Sequence, residues 1–264
     1  MNIPKTILQL WGRKETLTPP MISAMDSWRT LNPSYGHILM FDDDCRSFLK
    51  EHFTKDVCTA FELIKPGAGK ADLFRYCYLY VKGGVYVDID NICIKPLDNI
   101  IKKESEFIGV LDLAYKGVYS EYNEKRFSIH QSFIACIPGH PWLDMAIKLS
   151  TYNILNKVIP STETTKYLPQ QSHPLIKICG PKLLADAINI SSNKPINSTF
   201  STNKTFPFRL VKGDGSVIND EHGNPVPGQW LSTIQDEHGN VVIRCKYDEY
   251  NAQNYWTKEK IYNG

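Results

Sequence analysis

Two aspartates, Asp88 and Asp90, close the short apolar run "GGVYVDID" at residues 83–90. Alternate side chains of a strand point the same way and lie roughly 6–7 Å apart. Two carboxylates so placed repel each other unless a cation or hydrogen-bond donors compensate. A divalent ion that keeps positions open for water and phosphate oxygens fits such a pair. Asp72 and Arg75 stand three residues apart in "GKADLFRYCYLYVKGG" (69–84). On a helix that spacing shares one edge, so both can aim at one ligand. Asp-x-Asp alone is a common pattern, met equally by two solvated carboxylates where a strand enters a loop.

The elements that must carry these groups follow from periodicity. In 69–84, Leu73, Tyr76, Cys77 and Tyr80 repeat at helical spacing and make one buried stripe. Gly83-Gly84 stops the helix, because glycine accepts left-handed geometry at a helix end. The strand "VYVDID" then puts Val85, Val87 and Ile89 on one face and Tyr86, Asp88 and Asp90 on the other. Upstream, "KTILQLW" (5–11) and "HILMF" (37–41) read as strands, with "MISAMDSWRTL" (21–31) a helix between them. Asp42, Asp43 and Asp44 open the next helix, where capping is their simplest role. Downstream, "HQSFIACIPGHPWLDMAIKLS" gives a strand, a Pro-Gly turn and a helix, and "CGPKLLADAI" a further helix. Residues 189–205, rich in Asn, Ser and Thr, read as a loop. "DEHGN" occurs at 220–224 and 236–240 and suits two turns of a C-terminal β region. Strands alternating with helices predict an α/β fold with a mainly parallel central sheet and a C-terminal β-hairpin region.

Composition narrows the function. The 264 residues are 42% hydrophobic and 22% charged, with a formal charge of +2. That balance argues against nucleic acid or a membrane surface as the main partner. No apolar run approaches the roughly 20 residues of a membrane helix, so no transmembrane segment is expected. "MNIPKTILQLWG" lacks the features of a signal peptide, and a cytoplasmic location is the simplest expectation. The 7 cysteines are scattered without a CxxC pair, which indicates neither a structural zinc site nor a disulfide framework.

The segment "ADLFRYCYLYVKGGVYVDID" (71–90) resembles the signature of family 32 of the sugar-nucleotide glycosyltransferases, which includes yeast-type α-mannosyltransferases and shares its motif with clostridial glucosylating toxins. The shared pattern is the Asp72–Arg75–Tyr76 helix, then Leu-Tyr, Gly-Gly-x-Tyr and Asp-x-Asp. "IPKTILQLW" resembles the family's opening block, with Leu8 where His is usual. "FIACIPGHPWL", "CGPKLL" and "NYW" (254–256) resemble later blocks, Tyr255 standing in a serine place.

The resemblance implies a single GT-A-type, Rossmann-like domain over 1–264, with a nucleotide-binding half (1–110) and an acceptor side with a C-terminal lid (111–264). It implies a retaining enzyme that moves a hexose from a UDP- or GDP-sugar to a hydroxyl acceptor, such as a glycan. Asp88 and Asp90 would hold Mn²⁺ or Mg²⁺ on the donor diphosphate, Asp90 directly and Asp88 through ribose and metal-bound water. Asp72 and Arg75 would bind the donor sugar, and Trp11 would stack on the base. Trp256 would cap the donor, and Asn254 or Asp248 would complete the metal shell. Two other readings stand beside it. Haloacid-dehalogenase-like phosphatases also end a strand in Asp-x-Asp, with "GDGSVIND" (213–220) a faint second motif. A binding protein that kept the sugar-nucleotide pocket without turnover is the other. A phosphate loop at "PGAGKAD" fails, because Ile64 stands in its first glycine place; a calcium loop from Asp88 lacks its glycine and glutamate.

Overall fold

The computed structural model describes residues 2–112, 128–158, 174–192, 208–212, 231–236, 238–246 and 260–263. Its N-terminal part alternates strand and helix: β1 (Thr6–Leu10), α1 (Pro19–Leu31), β2 (Gly36–Met40), α2 (Asp42–His52), α3 (Lys55–Leu63), α4 (Gly67–Lys82) and β3 (Gly84–Val87). After these come β4 (Asn91–Cys93), β5 (Phe107–Asp112), β6 (Ser128–Cys136), α5 (Pro141–Leu155), α6 (Leu175–Ile178), α7 (Pro181–Ser192), β7 (Phe208–Lys212), β8 (Leu231–Gln235) and β9 (Val241–Lys246).

The nine described strands form one sheet in the order β2-β1-β3-β6-β5-β7-β8-β9-β4. β2, β1 and β3 are mutually parallel, and β5 is parallel to β7. β6 runs against both β3 and β5. From β2 to β7, therefore, every strand but β6 runs in the same sense, which is the mainly parallel centre of the α/β fold. β8 and β9 pair antiparallel, as the C-terminal hairpin region requires. Their turn uses the second "DEHGN": Asp236 N–H bonds to the Asn240 carbonyl at 3.0 Å, and Gly239 takes the positive φ of 79°. The first copy, 220–224, lies outside the described residues.

Both faces of the sheet are buried at β1, β3 and β6. Leu8, Leu10, Tyr86, Ile134 and Cys136 pack against residues of α2 to α7. Ile7, Val85, Val87, Phe133 and Ala135 pack with Trp28 of α1 and with Cys93, Ile243 and Cys245 of β4 and β9. The single stripe expected on α4 is too modest: every residue from Asp72 to Leu79 is buried, and Tyr80 is half-buried. A helix enclosed on all sides has no polar face, so Asp72 and Arg75 go into the interior with it.

Two glycines let α4 hand over to β3. Gly83 ends the helix at φ 65°, and Gly84 enters the strand at φ 103°. A Cβ on Gly84 would stand 2.8 Å from the Thr6 carbonyl oxygen, so only glycine lets β3 come this close to β1. Residues 261–263 clamp the other end of α4. Lys65 N–H bonds to the Ile261 carbonyl and Asn263 N–H to the Leu63 carbonyl, both at 2.8 Å. The Tyr262 hydroxyl reaches the Val158 carbonyl at 3.0 Å.

Candidate functional site

Strand β3 stops at Val87, one residue before the first aspartate. Asp88, Ile89 and Asp90 make a turn closed by the Asn91 N–H on the Asp88 carbonyl at 3.1 Å, and β4 follows at once. This corrects the expectation that Asp88 and Asp90 share a strand face. The alternation in "VYVDID" continues past the strand because Ile89 still needs burial, which it finds among Met21, Met25 and Trp11. The turn is well supported. Asp88 N–H extends the β3–β6 ladder to the Ser132 carbonyl at 3.0 Å, and Asn91 Nδ2 bonds to that same carbonyl at 3.0 Å. The Trp28 indole N–H holds the Asn91 carbonyl at 2.7 Å.

Asp88 and Asp90 are both half-buried at this turn. Asp88 Oδ1 accepts the Tyr86 hydroxyl at 2.6 Å and lies 3.8 Å from Arg75 Nη2. Burial pushes the Cys245 thiol up, and the charges of Asp90 and Asp88 add to this, so both carboxylates make their field felt at β9.

Below the turn lies the Asp72–Arg75 pair. Arg75 Nη2 is 3.1 Å from Asp72 Oδ1, and the two side chains are 5% and 12% exposed. It is therefore a buried pair, not a surface one. Nη1 of Arg75 donates to the Gln131 carbonyl at 2.6 Å, and Nε to the Ala71 carbonyl at 3.1 Å. Its guanidinium lies over the Tyr86 ring, 4.2 Å from the centroid. Burial works against the Arg75 charge, but Tyr86, Asp72 and Asp88 outweigh it and hold the pKa above the ordinary range. Burial pushes the Asp72 carboxyl up to about 7, against the pull of Arg75 and with a further push from Asp88. Arg75 thus bridges two acids, one interior and one at the rim.

Trp11 follows the last residue of β1, half-buried, its N–H on the Met40 carbonyl at 3.0 Å. The ring packs beside Met21, Met25 and Ile89, and its indole N–H donates to Thr16 Oγ1 at 2.7 Å. The middle residue of the Asp-x-Asp turn so connects Trp11 with the acids. Asp42 to Asp44 occupy the first turn of α2, and the Asp44 carboxylate accepts the Phe41 N–H at 2.9 Å, a capping role as expected. Asp42 also faces Lys70 of α4 at 3.6 Å. Asp248, Asn254 and Trp256 lie outside the described residues.

Among the described residues, no three His, Cys, Asp or Glu side chains converge as a metal cage. The donor set at the turn still suits a hard divalent cation. It offers two half-buried carboxylates, and Mg²⁺-like ions are held by one or two carboxylates plus ligand phosphates and water. Sequence reasoning passed over Tyr86 and Gln131 as partners of these groups. The signal for Gln131 was there: a polar residue inside β6, all nine of whose residues are buried.

Residues 20–107 match the model of the glycosyltransferase sugar-binding region containing the DXD motif. The chain is 26% identical to the initiation-specific alpha-1,6-mannosyltransferase of Schizosaccharomyces pombe, over 71% of this chain and 48% of that protein. It is 29% identical to the Candida albicans protein of the same name, over 53% and 40%. To inositol phosphoceramide mannosyltransferase 1 of Schizosaccharomyces pombe it is 28% identical, over 58% and 44%. The chain spans less than half the length of these three relatives. Among solved structures it is similar to PaToxG glycosyltransferase, with a TM-score of 0.48 and 17% identity over 72% of this chain and 70% of that one. Residues 20–107, the stretch that matches this glycosyltransferase model, hold both the Asp72–Arg75 helix and the Asp88–Asp90 turn.

Proposed function

We propose that this chain transfers a hexose from a nucleoside-diphosphate sugar to a hydroxyl of an acceptor such as a glycan, with retention of anomeric configuration. The observation that carries the reading is the Arg75 bridge. It ties a buried acid, Asp72, to a rim acid, Asp88, inside the matched DXD region. The match to the DXD region supports transfer over the phosphatase reading, which also needs an unencumbered aspartate, whereas Asp88 already accepts the Tyr86 hydroxyl.

The roles follow depth. Asp72 accepts hydrogen bonds from hydroxyls of the donor sugar when ionised, and Arg75 holds that carboxylate and draws its pKa down against the push of burial. Trp11 offers a half-buried indole at the rim for the nucleoside base. Asp88 and Asp90 would hold Mn²⁺ or Mg²⁺, which would neutralise charge on the departing diphosphate as a Lewis acid. Asn254 and Trp256 are assigned to the site by the family resemblance alone. Asp72 and Asp88 are engaged by Arg75 and Tyr86, and Asp90 is assigned to the cation. Attack on the departing group's own face, assisted by its phosphate, is therefore the retaining route we favour. Residues 1–110 form the nucleotide side of this scheme and 111–264 the acceptor side, in a cytoplasmic protein.

The test is a screen of UDP- and GDP-sugars for Mn²⁺-dependent hydrolysis and thermal stabilisation, with the anomer of the released sugar read by NMR before it equilibrates. One donor should be hydrolysed, with EDTA stopping the reaction. Stabilisation without turnover would mark an inactive binding protein, and cleavage of a generic aryl phosphate would restore the phosphatase.

A further inference from the structure

The turn Cys179–Gly180, between α6 and α7, lies directly against the Asp72 carboxylate. A Cβ on Gly180 would stand 3.2 Å from Asp72 Oδ2, and 3.1 Å from both the Ile176 Cα and the Leu175 carbonyl oxygen. The turn has no room to retreat. Gly180 N–H bonds to the Leu175 carbonyl at 2.9 Å, and the Gly180 carbonyl accepts the Leu184 N–H at 3.1 Å.

Tyr76 pins this turn from helix α4. Its hydroxyl lies 2.8 Å from the Cys179 carbonyl oxygen and 3.4 Å from that of Gly180. Gln131 Oε1 is 2.9 Å from the same hydroxyl, and Gln131 Nε2 donates to the Ile129 carbonyl at 3.1 Å. The Gln131 carbonyl is the one that accepts Arg75 Nη1. Tyr76 is fully buried and Gln131 is 6% exposed. α4, β6 and the α6–α7 turn are thus tied together at one hydroxyl, next to the residue that precedes it in sequence, Arg75.

We infer that the Cys179–Gly180 turn is a wall of the sugar subsite that limits which hydroxyl configuration reaches Asp72, and that Tyr76 and Gln131 are positioning residues that hold the wall in place. With Arg75 on Oδ1 and Gly180 against Oδ2, a hydroxyl can approach Asp72 only from the remaining side. Packing alone does not call for the tyrosine: phenylalanine would fill the same volume, and a buried hydroxyl is retained at a cost unless its partners matter. The inference rests on the proposed role of Asp72 toward the donor sugar.

The test uses the full chain with Tyr76→Phe and Gly180→Ala, and Tyr78→Phe as a control. Tyr78 is also buried on α4, but it packs against Phe48. Two readouts are taken with UDP- and GDP-linked glucose, galactose and mannose: donor-hydrolysis kcat and KM, and the melting shift of each nucleotide sugar beyond that of its nucleoside diphosphate. Tyr76→Phe and Gly180→Ala should keep the nucleoside-diphosphate shift and lose the sugar increment, with kcat down by about tenfold or more. Gly180→Ala should also change the ranking of the sugars. Tyr78→Phe should match wild type. Wild-type sugar increments and kcat in Tyr76→Phe overturn the inference. So does a parallel loss of the nucleoside-diphosphate shift and of activity, which would make Tyr76 merely structural. If Gly180→Ala does not fold, Tyr76→Phe decides alone. A wild-type chain that responds to no nucleotide sinks the donor reading itself and this inference with it.

Discussion

The two charged pairs of the site are built in opposite ways. Asp72 and Arg75 sit within an enclosed helix, and their side chains are held by Gln131, Ala71 and the Tyr86 ring. Asp88 and Asp90 sit half-buried in a turn fixed by its backbone bonds and by the Asn91 side chain. The difference teaches a division of labour. A group that must discriminate hydroxyls gains from a rigid, dry setting in which its geometry is set before the ligand arrives. A group that must meet phosphate and cation has to stay at the rim, where water can leave and ligands can enter.

The sharpest break of this comparison is at the rim. Asp90→Asn should lower donor turnover by about a hundredfold or more, as should removal of divalent cations by EDTA. Because the turn is held by backbone, melting should move by no more than a few degrees. Donor hydrolysis and thermal melting on one preparation check both. Full activity in EDTA, or in the variant, would end the metal assignment.

The interior pair should respond in both quantities. Arg75→Lys keeps the charge but not the planar fork. We expect turnover about tenfold to a hundredfold lower, with nucleoside-diphosphate affinity retained. Stability should fall by roughly 1–3 kcal/mol, because the buried Gln131 carbonyl loses its guanidinium donor. Urea unfolding beside donor kinetics measures this, and a variant with wild-type stability would deny the depth of the pair.

Acidity separates the regions next. Native Asp72 titrates at about 7, against 3.8 for its ordinary value. In that window the native state holds a proton that the unfolded chain has released. The Asp72 contribution to stability is therefore present below 3.8 and is lost as pH rises through about 7. His140 has the opposite sign. Burial lowers it from 6.5 to about 4, so its contribution is present above 6.5 and is lost as pH falls through about 4. Melting from pH 4 to 8 without divalent cations, for wild type and Asp72→Asn, should show a difference that changes with pH across this window. A constant difference would mean that Asp72 stays ionised throughout.

The smallest effect is expected at Trp11. Trp11→Phe keeps an aromatic face and loses the indole bond to Thr16. Nucleoside-diphosphate binding by calorimetry should weaken by less than about fivefold. A larger loss would mean that the indole N–H, not the ring face, is what the site uses.

Much of this was legible in the sequence, for identifiable reasons. α4, Gly83-Gly84 and β3 follow from helical spacing, a glycine stop and β-branched alternation, all of which are local signals. The Asp72–Arg75 pairing follows from i, i+3 geometry. Their burial does not, because it depends on β6 and the α6–α7 turn, which are remote in sequence. The Asp88–Asp90 geometry was misread for a related reason. The period-2 pattern persists when a strand gives way to a turn, provided the middle residue, Ile89, has an apolar socket waiting. That socket is made by α1 and Trp11, and no window around residue 89 contains it. Gln131 was visible as a polar residue in a buried strand, but its partner Tyr76 is 55 positions away.

The clamp at residues 261–263 can be put in mechanical terms. Main-chain bonds at Leu63 and Lys65 join the last described stretch of chain to the segment that opens α4. A force or a bulky fusion applied near residue 263 is therefore delivered first to the start of that helix, about one and a half turns before Asp72. The stretch 261–263 is not a neutral handle. A tag placed there acts as a load on the helix that carries the buried acid, and activity should be compared between amino- and carboxy-terminal fusions before any rate is ascribed to the protein itself.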